Sequence, residues 1–253
     1  MSPETLDMNR ASTAAQRIGA ALRSAEIVDL SWSLDEHGPV FPGQEGFVLE
    51  KLGDVNDPDL PLCFNQLSFM EHIGTHMDAP AHVIDGGRFV DELPFAELAA
   101  PAFRLDLTER CGGRADYDVS AEDIARFERD HGRIPDGSIV LLHTGWDARY
   151  VAPERYVEVA DDGSWHWPGL GADAAELLAD RAVRGVGIDT IGLDGGHVAM
   201  TLAAHRAVLG TGAFILENLA NLADMPPRDT FVIAAPIKTR NGSGGPSRVY
   251  AFK

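Results

Sequence analysis

The sequence predicts an α/β fold in a single compact domain, with a mixed β-sheet that is partly parallel and barrel-like at its core. Strand and helix signals alternate from Ser138 to Pro236, the pattern of parallel strands joined by crossover helices. Earlier strand-like runs exceed what that alternation needs, so part of the sheet is of another direction. No linker rich in Pro, Gly or Ser divides the 253 residues, a length that suits one large domain.

Residues 1–24 read as an N-terminal extension, a frayed tail leading into a short amphipathic helix that packs on the domain or on a second subunit. The domain then runs over 25–253. "AEIVDLSWSL" (Ala25–Leu34) is a first strand, and "GPVFPGQ" (Gly38–Gln44) a Pro/Gly loop. "LCFNQLSFM" (Leu62–Met70) alternates apolar and polar residues, the pattern of a half-buried strand. "AFRLDL" (Ala102–Leu107) is strand-like. "SAEDIARFERDHG" (Ser120–Gly132) opens on an N-capping Ser with Asp three residues on, keeps helical period, and stops at Gly. The later strands are Ser138–Trp146, Gly185–Thr190, Ala213–Leu219, Thr230–Pro236 and Ser247–Phe252; the later helices are Gly171–Gly185 and Ala199–Gly212. "NGSGG" (Asn241–Gly245) opens no helix, so it is a flexible turn before the last strand and not a phosphate loop.

Composition narrows the function classes. Thirty-nine acidic residues against 21 basic give a formal charge of −18, which repels nucleic acid and anionic lipid. No apolar run approaches the roughly 20 residues of a membrane span. The N-terminus has no apolar core of a signal peptide. Cys63 and Cys111 sit in no metal-binding spacing and suit the reduced thiols of a cytoplasmic protein. No GxSxG element marks a nucleophilic serine.

One stretch concentrates the chemistry. "FMEHIGTHMDAPAHVIDGG" (Phe69–Gly87) places His72, His76, Asp78 and His82 within eleven residues. Extended, the four residues from His72 to His76 would span roughly 13 Å, too far for two imidazoles to share an ion at about 2.1 Å. The chain must therefore compress, and Gly74 permits the necessary bend. A bent loop leaving a strand is favoured over a helix, which Gly74 would weaken. Two imidazoles and a carboxylate form a borderline N/O set that suits zinc, manganese or iron. His82, beyond the redirecting Pro80, is a further ligand or a general acid/base. Glu217 lies in the apolar run "FILENL", where a carboxylate needs a metal or a partner such as Arg206. His205, in "TLAAHRAVL", either rests satisfied in the core or completes the ligand set.

"HIGTHMDAPAH" (His72–His82) resembles in full the HxGTHxDxPxH signature of the metal-dependent cyclase superfamily, which includes bacterial arylformamidase and isatin hydrolase. "LLHTGW", "AHRAVLGTGAFILENL" and "APIKTRNGSGGPSRVYAF" follow in the family's order. The resemblance implies a swivelling β/β/α fold in a homodimer. It implies His72, His76, Asp78, His205 and Glu217 as ligands of one or two divalent ions, Zn or Mn, with Asp78 bridging in the two-metal case. It also implies His82 as the catalytic acid/base and Phe41 as an aromatic wall for a small, aromatic substrate. The implied reaction is hydrolysis of a C–N amide bond in an aryl formamide, lactam or imide. The ion would activate water and stabilise the oxyanion, and His82 would protonate the leaving nitrogen. Trp165 and Trp167 either stack on that substrate or pack at the surface or a subunit contact. The chain departs from the family in carrying Phe41 where arylformamidases usually have Trp. It has Gly192 where a serine is common, and Glu217 where the isatin hydrolase pattern has a neutral amide. A cyclase or lactonase, or a non-catalytic metal-binding protein, are the competing readings.

Overall fold

The computed structural model describes residues 12–253; the tail expected over 1–11 lies outside them. Eight strands make the main sheet: β1 (Ile27–Asp29), β2 (His76–Asp78), β3 (Ala99–Asp106), β4 (Ile139–His143), β5 (Gly185–Ile188), β6 (Phe214–Glu217), β7 (Thr230–Pro236) and β8 (Gly244–Phe252). Their order is β1-β8-β7-β3-β4-β5-β6-β2, and β2 pairs back onto β8. That pairing closes the other seven strands into a barrel, with β1 attached to β8 outside the closed ring. β3, β4, β5 and β6 run parallel, whereas β7, β8, β1 and β2 join antiparallel. The expected mixed, barrel-like α/β architecture is present.

Strand β4 explains why the barrel has two cores. All five of its residues are buried, as expected for a parallel strand covered on both faces. Ile139 and Leu141 point into the barrel with Met77, Leu216 and Val249. Val140 and Leu142 point outward beneath a helical layer with Ile124, Leu178 and Val208. That layer comprises Ala121–His131, Ala172–Asp180 and Ala203–Leu209, which follow α1 (Ala14–Ser24) in the chain and are α2, α3 and α4. Ser120 caps α2 with Asp123 reciprocating, and Gly132 ends it.

Several elements depart from expectation. The half-buried strand of Leu62–Met70 is instead Phe64–Ser68, paired only with Val48–Gly53 in a hairpin. Every residue of Phe64–Ser68 is exposed. Alternation there does not mark a core face, because the hairpin stands off the barrel as an arm. Leu49, Leu52, Leu60, Leu62, Phe64 and Leu67 lie on its surface. Helix α1 buries no residue, so it does not pack on the domain. "NGSGG" begins in the expected turn at Asn241, but Gly244 and Gly245 already belong to β8 and pair with Asp78 and Met77 of β2. The expected long helix over 199–212 is a 3₁₀ segment, Gly196–Thr201, followed by α4. Leu202 between them adopts φ +53° and breaks the helical path. Among the described residues, no helix is long and apolar enough to cross a membrane.

Candidate metal centre

The loop from Phe69 to Thr75 is bent, with no helix. Gly74 has φ +57°, and a Cβ there would fall 2.6 Å from Leu34 Cδ2, so glycine alone fits. The loop delivers the chain into β2, whose alternation sends Met77 into the barrel core and leaves His76 and Asp78 together on the other face. Across the β2–β6 ladder His76 lies opposite Glu217. Pro80 then starts a one-turn 3₁₀ segment ending at His82. This turns the His82 ring back onto His72, with centroids 3.9 Å apart. α4 supplies His205 from the helical layer.

These side chains converge. His76 Nε2 is 3.3 Å from Asp78 Oδ1 and 3.3 Å from Glu217 Oε2. His205 Nε2 is 3.4 Å from Asp78 Oδ2 and 3.2 Å from Glu217 Oε1. His72 Nδ1 is 2.6 Å from Asp78 Oδ1. The ligand-type atoms of His76, Asp78 and Glu217 all lie within 4.8 Å of one another, as do those of His72, Asp78 and His82. Asp78 belongs to both sets and could bridge two ions. Glu217 accepts from the Leu193 amide at 2.6 Å and faces the histidines; the pairing with Arg206 considered from sequence is not formed.

Asp78 tests whether a cation belongs here. Its side chain is 1 % exposed, and Oδ2 has no hydrogen-bond partner. A buried carboxylate oxygen left bare costs several kcal/mol, on the order of a lost charged hydrogen bond. An ion among these N and O donors would satisfy it, so the residues fit a divalent metal. The titration of the bare cluster agrees. Burial opposes a charge on His76, but Asp78 and Glu217 overcome it and raise its pKa to about 10. His205 is likewise raised despite burial, by Asp194, Asp78 and Glu217. Against its burial, Asp78 is held well below the usual carboxylate range by His72, His205 and His76. The cluster attracts positive charge, as protons or as metal. His82 goes the other way: burial lowers its pKa, with His72 and His205 adding to it and Asp78 and Glu217 only partly opposing.

Two residues that the sequence did not single out orient the candidate ligands. Asp194 accepts from the amides of Ala204 and His205 and from His205 Nδ1 at 2.5 Å. That leaves Nε2 for the site, the usual carboxylate–histidine arrangement around metals. Asn218 donates to the Gly74 carbonyl at 2.9 Å, and the same carbonyl accepts His76 Nδ1–H at 2.9 Å. His76 is thereby held with Nε2 toward the carboxylates. Neither residue carries a local motif. A third His/Asp group, His143, Asp147 and Asp189, is different. The Asp189 carboxylate is satisfied by the amides of Thr144, Gly145 and Trp146 and the Thr144 hydroxyl, and ties that turn together.

The cluster opens into a cavity of about 250 Å³ whose lining includes Phe41, His72, His76, His82, His205 and Glu217, with no Lys or Arg among the described residues. Trp165 and Trp167 do not line it. They meet Phe41 edge-on, with centroids 5.2 and 5.8 Å away, and hold its ring in place. Trp167 is fully buried and donates to the Asp194 carbonyl.

With this geometry in hand, the Cyclase family model matches residues 28–195. An isatin hydrolase from Roseibium aggregatum is 31% identical over 258 aligned residues, covering 96% of this chain and 98% of its own. A kynurenine formamidase from Salinibacter ruber is 29% identical over 226, covering 88% of this chain and 95% of its own. The crystal structure of an isatin hydrolase bound to the product analogue thioisatinate superposes with a TM-score of 0.88 at 30% identity, over 95% of this chain and 97% of that one.

Proposed function

This chain belongs to the Cyclase family, and from that premise we propose that it is a metal-dependent hydrolase that opens the C–N amide bond of a small aromatic lactam of the isatin kind. The observation that carries the metal chemistry is the bare Asp78 Oδ2, buried among histidines and Glu217. His72, His76, Asp78, His205 and Glu217 would hold one or two divalent ions, Zn or Mn. When bound, such an ion supplies Lewis acidity, lowering the pKa of water and polarising the scissile carbonyl.

The remaining work falls to the chain. His82, its pKa lowered by burial, accepts a proton on its imidazole from the attacking water and returns it to the leaving nitrogen. The C–N bond breaks as the ring opens, the nitrogen becomes a neutral aryl amine still carried on the product, and the acyl carbon ends as a carboxylate that releases the second water proton to solvent. Phe41, braced by Trp165 and Trp167, offers a flat apolar face for the aromatic ring. The lining favours a neutral substrate: an amino-acid-bearing formamide such as N-formylkynurenine brings a carboxylate, and among the described residues no Lys or Arg lines the cavity to meet it. Glu217 supports an aryl formamide as the second reading, because it departs from the neutral amide of the isatin hydrolase pattern.

The exposed apolar arm and the uncovered helix α1 support a homodimer, and the two free cysteines a cytoplasmic setting. The test is elemental mass spectrometry on untagged protein, followed by hydrolysis assays with isatin and N-formylkynurenine. One or two equivalents of zinc or manganese with faster turnover of isatin supports the leading reading. Preference for the formamide would move the assignment to the second, and no metal uptake would remove both.

A further inference from the structure

The "NGSGG" segment has no part in the mechanism above, yet it lies against the first histidine of the signature. Ser243 Oγ is 2.9 Å from His72 Nε2, and its hydroxyl donates to Glu71 Oε1. The Ser243 amide also points at Glu71, 3.3 and 3.2 Å from its two oxygens. The Ser243 carbonyl accepts the Ala79 amide at 2.8 Å, locking the serine to the backbone next to Asp78. At Gly244 an added Cβ would fall 2.6 Å from His72 Cε1 and 2.5 Å from the Met77 carbonyl oxygen. The imidazole therefore lies directly on the backbone of β8.

Proton counting determines the orientation. A serine hydroxyl carries one proton, and an ionised carboxylate has none to give. The Ser243 proton lies toward Glu71, so Ser243 Oγ must accept at its other contact, and His72 must be protonated at Nε2. With the imidazole neutral, as a metal ligand requires, Nδ1 then carries the lone pair. That atom faces Asp78 Oδ1, a second lone-pair atom, at 2.6 Å. Two acceptors that converge so closely need a proton or a cation between them.

We infer that Glu71 and Ser243 are positioning residues that hold His72 in its Nε2–H tautomer and present Nδ1 to the metal. This rests on the metal-centre reading proposed above. His72 would thus bind through the opposite nitrogen from His76 and His205, whose Nδ1 atoms are engaged by the Gly74 carbonyl and Asp194.

Long-range ¹H–¹⁵N correlation spectra of the zinc-loaded wild-type protein test this without a mutation. The expected pattern for His72 is a protonated Nε2 and a metal-bound Nδ1; a metal-bound Nε2 would overturn the inference. Chelator competition gives the second arm. Ser243→Ala should raise the zinc Kd by about 10- to 100-fold, the usual effect of losing a group that orients a metal ligand. Glu71→Ala should weaken binding in the same direction. Glu71→Gln, whose amide oxygen still accepts the serine proton, should stay close to wild type. Thermal melts confirm that the variants are folded. A wild-type Kd in Ser243→Ala, or Glu71→Gln as impaired as Glu71→Ala, would overturn the relay while leaving the metal centre standing. Failure of the wild-type protein to take up zinc would overturn both.

Discussion

Asn218 offers the sharpest test of how the barrel holds the histidine–carboxylate cluster. It follows Glu217, is 3 % exposed and sits at φ +54°. Its Oδ1 accepts the Tyr156 hydroxyl at 2.9 Å and its Nδ2 donates to the Gly74 carbonyl at 2.9 Å. Asn218→Ala removes both bonds, at about 1–1.5 kcal/mol each. It also places a Cβ-bearing residue without a polar side chain in the left-handed region, for roughly 1 kcal/mol more. The expected loss is about 3–4 kcal/mol. At about 2–4 °C per kcal/mol for a chain of this size, the melting temperature should fall by about 6–15 °C. Asn218→Gly loses the same hydrogen bonds but tolerates the backbone, so it should recover about 0.5–1 kcal/mol once glycine's extra chain entropy is counted. Thermal melts and urea titrations of the two variants measure both numbers. An alanine variant within about 1 kcal/mol of wild type, or a glycine variant less stable than the alanine one, would refute the clamp argument.

Three further outcomes follow from the same structure. His82→Ala should keep its metal content and lose about 10²- to 10⁴-fold in turnover; undiminished hydrolysis by the variant would remove His82 from the chemistry. Burial works to raise Asp106, but the Arg104 guanidinium and the Thr108 hydroxyl and amide hold its pKa down at about 2, below the ordinary 3.8. It therefore adds stability that is present above pH 4 and lost as pH falls through 2. The gap in melting temperature between wild type and Asp106→Asn should close over that window, and a gap that persists at pH 2 counts against the ion pair. Leu62→Glu with Phe64→Glu, both on the exposed arm, should convert a dimer to a monomer in sedimentation velocity; a wild-type protein already monomeric at micromolar concentration would contradict the arm's proposed role.

Legibility in the sequence followed the range of the interactions. Thr230–Pro236 was readable to its ends, and α2 to its cap and stop, because the signals are local. The crowding of His72, His76, Asp78 and His82 was also local, and Gly74 declared the bend. Leu62–Met70 misled because a period of two reports which residues share a face, and says nothing about whether that face meets a core. Asp194 and Asn218 were silent for another reason. Each acts on a ligand through one hydrogen bond made across the fold, Asn218 reaching Gly74 over 144 residues of chain. No spacing rule encodes such a pair. Glycines in Asn241–Gly245 signal a turn, and nothing local distinguishes Gly242, in that turn, from Gly244, whose missing Cβ serves close approach to His72.

The way β2 closes the barrel also dates the site within the life of the chain. β2 has no partner until β6 and β8 arrive, and His72 waits 171 residues for Ser243. At a translation speed of about 5–20 residues per second, the signature histidines leave the ribosome roughly 10–35 seconds before the strands that seat them. The earliest-made ligands are thus the last to be organised. A nascent chain must carry an unpaired strand and three free imidazoles through most of its synthesis. The candidate site can take its finished form only after release, when the barrel shuts around it.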